Sequence, residues 1–82
     1  MNIDIATKIE HWKLKAELFL KEDKRCFLKT INGAYHSADI LLIGERDLLI
    51  YDFIKKEKFC ILWIDIILFE EYKNKGDGYD RS

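Results

Sequence analysis

Phe59-Cys60-Ile61-Leu62-Trp63-Ile64-Asp65-Ile66-Ile67-Leu68-Phe69 is apolar at every position except Asp65. A strand with one wet face alternates apolar and polar side chains. This run is apolar on both faces, so both must be covered. A chain of 82 residues has limited capacity to bury such surface by itself. The run therefore points to a small β-rich domain whose surplus apolar face is covered by another chain. Phe59, Ile61, Trp63, Ile67 and Phe69 are the expected interface residues, with Trp63 as the anchor because buried Trp often dominates binding energy. The plain alternative for Trp63 is an ordinary core tryptophan. Asp65 is expected to mark a bend, since an Asp side chain bonds nearby backbone N–H groups. The bend splits the run into strands near 59–63 and 66–71.

Moving outward, the bulk properties bound the class. Hydrophobic residues make up 49% and charged residues 35%, which fits a folded domain and neither a disordered nor a membrane-embedded chain. The net charge is −1, from 14 Lys/Arg and 15 Asp/Glu. That argues against a strongly basic nucleic-acid binder, whose affinity comes from phosphate neutralisation, and leaves room for a local basic patch. Residues 59–69 are too short to span a bilayer as a helix, which takes about 20 residues. The N-terminal Met1-Asn2-Ile3-Asp4 lacks the pattern of a signal peptide. Cys26 and Cys60 each sit inside an apolar run and read as reduced core residues of a cytoplasmic protein. A disulfide between neighbouring strands is the alternative.

Upstream, turn chemistry divides the chain into elements. Glu22-Asp23-Lys24-Arg25 is a charged turn, after which 26–31 reads as a strand. Asn32-Gly33 is a hairpin signal, because both residues tolerate positive φ. Residues 34–43 form the next strand, Gly44-Glu45-Arg46-Asp47 a turn, 48–54 a strand, and Lys55-Lys56-Glu57-Lys58 a solvated loop. Residues 4–21 carry two periods at once. Ile5, Ile9 and Trp12 fall on a helical stripe behind Asp4 as cap, while Trp12, Leu14, Ala16, Leu18 and Leu20 alternate as in a strand. The reading is a helix over 4–11 and a strand over 12–21, with a single helix from 4 to about 21 as its rival. The fold class is then mostly β: a short N-terminal helix followed by a five- to six-strand, strongly bent antiparallel small barrel. The domain covers 1–72, and 73–82 is read as a flexible tail.

Helix, five strands and a final bent strand pair resemble the Sm-like small-barrel family. Asn32-Gly33-Ala34-Tyr35-His36-Ser37-Ala38-Asp39-Ile40-Leu41-Leu42-Ile43 is similar to that family's first motif, with Ala38 or Lys29 in place of the bending glycine. Residues 61–69 correspond to the second motif. The RNA-binding members carry an Arg-Gly pair there, where this chain has Leu62-Trp63. The resemblance implies an SH3-like barrel that forms a homo-oligomer, often a ring. It implies less about RNA, because a base pocket needs a stacking plane and hydrogen bonds to the base edge, and the charged partner is missing.

The residues that could still meet RNA are Tyr35, His36 and Asp39 behind the Asn-Gly turn, with Lys24, Arg25 and Lys29 around the first hairpin. Tyr35 and His36 would stack and Asp39 would accept a hydrogen bond. The plain reading is one inward aromatic and one outward polar residue on adjacent strand positions, with solvated edge lysines. His11, His36, Cys26 and Cys60 lack metal-ligand spacing, so no metal and no cofactor are expected. Asp39, Asp52 and Asp65 interrupt apolar strands, where carboxylates more often cap bends than perform acid–base work. The expected function is a non-catalytic, oligomeric Sm-like barrel with RNA as a second partner class and no membrane. The alternative is a protein-interaction module whose 59–69 strand pairs with another protein.

Overall fold

The structure, a computed structural model, describes residues 5–73. Its elements are helix α1 (Ile5–Lys21), strands β1 (Cys26–Thr30), β2 (Tyr35–Ile43), β3 (Asp47–Asp52) and β4 (Glu57–Leu62), a 3₁₀ turn (Trp63–Asp65) and strand β5 (Ile66–Glu71). The strands form one antiparallel sheet in the order β4-β3-β2-β1-β5. The fold is therefore mostly β with an N-terminal helix, and the expected bend at Asp65 is the 3₁₀ turn.

The sheet has to curl. β4 and β5 are its opposite edges, yet only Trp63–Asp65 separate them in sequence. From Leu62 to Ile66 the chain spans at most about 15 Å, at 3.8 Å per Cα step. A flat sheet would hold the edges four strand spacings apart, about 19 Å. Curling brings them together, and the 3₁₀ turn is pinned on both sides. The Trp63 N–H donates to the Arg46 carbonyl (3.0 Å), and the Ile31 N–H donates to the Asp65 carbonyl (2.8 Å). The barrel expectation needs one correction. The edges are not hydrogen-bonded to each other among the described residues, so the sheet is curled and open rather than closed.

The second correction concerns residues 12–21, which are helix, leaving five strands. α1 presents Ile9, Trp12, Ala16 and Phe19 to the core, while Leu14, Leu18 and Leu20 stay exposed. Phe19, the residue that broke the strand alternation, is the one that seats the helix. Its ring meets Phe69 edge-on at 5.4 Å, and Trp12 meets Phe69 at 5.8 Å. Lys, Glu, Leu and Ala favour helix locally, and this tertiary contact decides the ambiguity. The helix ends in a Schellman motif. Lys24 N–H donates to the Phe19 carbonyl (2.8 Å) and Asp23 N–H to the Leu20 carbonyl (3.2 Å), with Asp23 at φ 58°. Asp4 and the tail segment 74–82 lie outside the described residues.

The first hairpin also differs from expectation. Only Gly33 takes positive φ, at 90°, so the turn is longer than a two-residue type I′ loop. Asn32 contributes through its side chain, whose oxygen accepts from the Thr30 hydroxyl and from the Ala34 N–H.

The inner face of the curl is the core: Cys26, Leu28, Ala38, Ile40, Leu48, Ile50, Trp63, Ile66 and Phe69, with α1 laid against it. Cys26 belongs there, and burial together with the nearby Asp39 charge pushes its thiol pKa up to about 12. Cys60 does not belong there: it is exposed, and both cysteines are free thiols. In the register Cys60 pairs with Leu49, on the opposite face from the buried Leu48 and Ile50.

Candidate functional site

Strand alternation sorts the candidate residues onto two faces. On β1, Cys26, Leu28 and Thr30 point inward, so Phe27 and Lys29 point outward. On β2, His36, Ala38 and Ile40 point inward, so Tyr35, Ser37 and Asp39 point outward. The register sets Lys29 beside Tyr35 and Phe27 beside Ser37. The outcome is a row of aromatic rings and cations on the outer face. Phe27 and Tyr35 stack at 5.6 Å, with the Lys29 ammonium 5.1 Å from the Tyr35 ring. Further along, the Arg25 guanidinium lies 4.3 Å over Phe53, which meets Tyr72 edge-on at 5.2 Å. Arg25 Nε also donates to Asp39 Oδ1 at 3.2 Å.

Tyr35, Asp39, Arg25 and Lys29 thus come together on one face. Lys24 and His36 do not join them. Lys24 lies in the turn before β1, its ammonium 3.5 Å from both Glu22 and Glu71, so its charge is already matched. Lys29 and Lys55 sit at the hairpin end, with Lys55 Nζ donating to the Tyr35 carbonyl at 3.0 Å. Lys24 and Arg25 are at the other end of β1. Sequence reasoning missed Phe27, Phe53 and Tyr72. Phe27 could have been found as the outward residue between two inward ones.

His36 is a correction. It is 4% exposed and cannot offer its ring to a base on the outer face. It belongs to a buried polar unit instead. Its Nδ1 lies 2.9 Å from Asp52 Oδ2, and Asp52 is 1% exposed. Asp52 Oδ1 accepts from the N–H groups of Ile54 (2.9 Å) and Lys55 (2.8 Å), and the Lys55 ammonium is 3.8 Å from Oδ2. Burial pushes the Asp52 pKa upward. The Lys55 N–H, the His36 ring, the Ile54 N–H and the Lys55 charge outweigh it together and hold the carboxyl below the ordinary carboxylate range. Asp52 is thus an ionised, fully bonded anchor at the end of β3.

The expected interface residues also divide. Trp63 and Phe69 are wholly buried within the chain, so they are core residues and cannot line an interface. Trp63 Nε1 donates to the Gly44 carbonyl at 3.1 Å, which ties the 3₁₀ turn to the loop after β2. Phe59 and Ile61 are half-buried against the core. Ile67 is exposed, and the exposed apolar set around the two edges is completed by Leu62, Ile64 and Leu68. Among the described residues β4 is paired only with β3 and β5 only with β1, so each edge leaves backbone groups unpaired there.

The Cys60 thiol donates to Asp47 Oδ2 at 3.1 Å, and that bond, burial and the Asp47 charge raise its pKa, the reverse of what an activated nucleophile needs. Among the described residues no group of three or more His, Cys, Asp or Glu side chains is placed to hold a metal ion, and no helix is long and apolar enough to cross a membrane.

No protein-family model matches this chain, and no curated protein matches it. The functional reading therefore rests on the geometry: two apolar-flanked sheet edges, an outer row of rings and cations, and a buried His–Asp pair.

Proposed function

We propose that this chain is a non-catalytic, Sm-like small barrel that assembles with copies of itself. The observation that carries the reading is the pair of open edges. Among the described residues β4 and β5 both expose unpaired backbone groups, and exposed Leu62, Ile64, Ile67 and Leu68 lie beside them. Such edges are a liability in a lone domain and a template for pairing between chains. Because the two edges differ, the edge of β4 in one copy would meet β5 of the next. That is a head-to-tail contact, which closes into a ring when the rotation permits.

The test is molar mass by light scattering on the purified chain. A discrete assembly of roughly five to eight copies is expected, the closed form of a head-to-tail contact. Leu62→Glu with Ile67→Lys is expected to return it to a folded monomer. A wild-type chain that is monomeric at 100-fold dilution and at high concentration alike sinks the assembly. It would leave the edges to a different protein, by strand addition.

The outer row supports a second reading, single-stranded RNA. Stacked aromatics beside cations are the equipment of sequence-tolerant RNA binding, worth about 1–3 kcal/mol per stacked base. Tyr35→Ala with Arg25→Ala is expected to weaken binding of a fluorescent mixed-sequence RNA 12-mer at least about tenfold. Lys24→Ala is expected to change it little, since that ammonium is already matched. Equal losses for Lys24→Ala and the Tyr35/Arg25 pair would remove the outer row from consideration.

A further inference from the structure

The curl leaves a seam between β4 and the tip of the β1–β2 hairpin, and the seam is a groove of about 480 Å³. That is within the usual range for small-molecule sites, about 300–1,000 Å³. His36, Phe59, Ile61, Asn32 and Lys55 line it. The groove uses the other side of the sheet from the outer row, and Leu62 at its rim belongs also to the β4 edge.

The chemistry of the groove is set by Asp52. An ionised carboxylate only accepts hydrogen bonds, so the short contact from Asp52 Oδ2 to His36 Nδ1, 2.9 Å, places a proton on Nδ1. In the neutral ring the lone pair is then on Nε2. Among the described residues that nitrogen has no hydrogen-bond partner, and it is not a sealed orphan as Trp12 Nε1 is. In that neutral ring Nε2 is an acceptor on a side chain that is only 4% exposed. Beside it the Phe59 ring packs on His36 at 4.6 Å, and Ile61 continues the apolar wall. The Lys55 ammonium stands at 5.5 Å from the Phe59 ring centre and 3.8 Å from the same Asp52 oxygen that holds His36. The His36 ring and the Lys55 ammonium thus stand 4.6 and 5.5 Å from the same flat apolar wall.

We infer that this groove binds a small aromatic acid whose ring carries an O–H or N–H donor. The donor meets His36 Nε2, the ring lies on Phe59, and the carboxylate pairs with Lys55. Asp52 is a positioning residue: it fixes the tautomer that makes Nε2 an acceptor. Asn32 can assist, because its oxygen is taken by Thr30 and Ala34 and its NH₂ is left to donate.

The experiment is calorimetric titration of the full chain with 4-hydroxyphenylpropionate, phenylpropionate and the amide of the hydroxylated acid. The hydroxylated acid is expected to bind one per chain with a dissociation constant of about 1 mM or below. Removing the hydroxyl should weaken binding about tenfold or more, because it leaves the buried acceptor unpaired. Lys55→Gln, at an exposed position, should weaken the acid about fivefold and leave the amide unchanged, as loss of a partly exposed ion pair does. His36→Gln retains a donor toward Asp52 and removes the acceptor, so it should abolish the preference for the hydroxyl. If that variant fails to fold, Lys55→Gln and the ligand pair carry the test alone. No heat at 10 mM ligand, or equal affinity for the acids with and without the hydroxyl, overturns the assignment.

Discussion

Asp52→Ala is expected to cost this domain about 3–5 kcal/mol, the usual consequence of removing one partner from a buried hydrogen-bonded charge. The loss comes from what stays behind. The part-buried Ile54 and Lys55 N–H groups lose their acceptor, and the buried His36 ring is left with no partner for Nδ1. A buried group orphaned in this way adds about 1–3 kcal/mol. Native domains are stable by only about 5–15 kcal/mol, so the variant should be marginal at 37 °C. Urea unfolding followed by circular dichroism checks it, with the shift expected in the midpoint.

The charge itself is isolated by Asp52→Asn, which keeps the volume and the oxygen that caps the β3–β4 turn. Asp52 has a folded pKa below its ordinary value of 3.8. The unfolded chain therefore binds the proton more readily, and the stabilisation is fully present above that value. It is lost as the pH falls through the lower, folded pKa. The stability gap between the native chain and Asp52→Asn should accordingly be constant at neutral pH and shrink only below about pH 4. A gap that closes between pH 8 and pH 5 instead would mean that Asp52 is not the titrating group.

How much of this was legible in the sequence depends on the range of the interaction. The charged turn before Cys26, the Gly33 turn, the loop at Gly44 and the bend at Asp65 are local events, and local turn chemistry located each of them. The strands between them followed. Residues 12–21 were ambiguous for a physical reason. Their apolar side chains satisfy both periods, and only the contact of Trp12 and Phe19 with Phe69, fifty residues away or more, selects helix. The open sheet and its two unlike edges follow from strand order, which periodicity does not carry. Strand alternation did predict that Tyr35 and His36 face opposite ways, but the expectation of the aromatic inward and the polar residue outward is reversed: Tyr35 is exposed and His36 buried. The partner that draws His36 inward, Asp52, is set by how β2 lies against β3, with Ala38 opposite Asp52. The thiols show the same limit. Cys26 and Cys60 look alike in apolar runs, yet one lies on the core face of β1 and the other on the outer side of an edge strand.

Trp63→Ala carries an expected loss of about 3–5 kcal/mol, typical of Phe or Trp truncation in a core. Trp63 occupies the one position that lets a five-stranded sheet with distant edges close its chain through three residues. Its backbone N–H is held by Arg46, its indole N–H by Gly44, and its ring fills the core between the loop after β2 and β5. Truncation removes the ring and one hydrogen bond together, and the short 3₁₀ turn has little freedom to collapse into the space. The experiment that decides its role compares Trp63→Ala with Leu62→Glu, its exposed neighbour at 47% exposure. Trp63→Ala should lower the urea midpoint while any folded fraction keeps the native molar mass. If the proposed assembly forms, Leu62→Glu should lower its molar mass while the dissociated chain keeps its fold. The adjacent residues thus separate two properties that the apolar run merges: the inward side chain sets whether the sheet can curl, and the outward one sets what the curled sheet can meet. If Trp63→Ala dissociates the assembly without loss of stability at equal protein concentration, the side chain is at the interface after all and the core position is wrong.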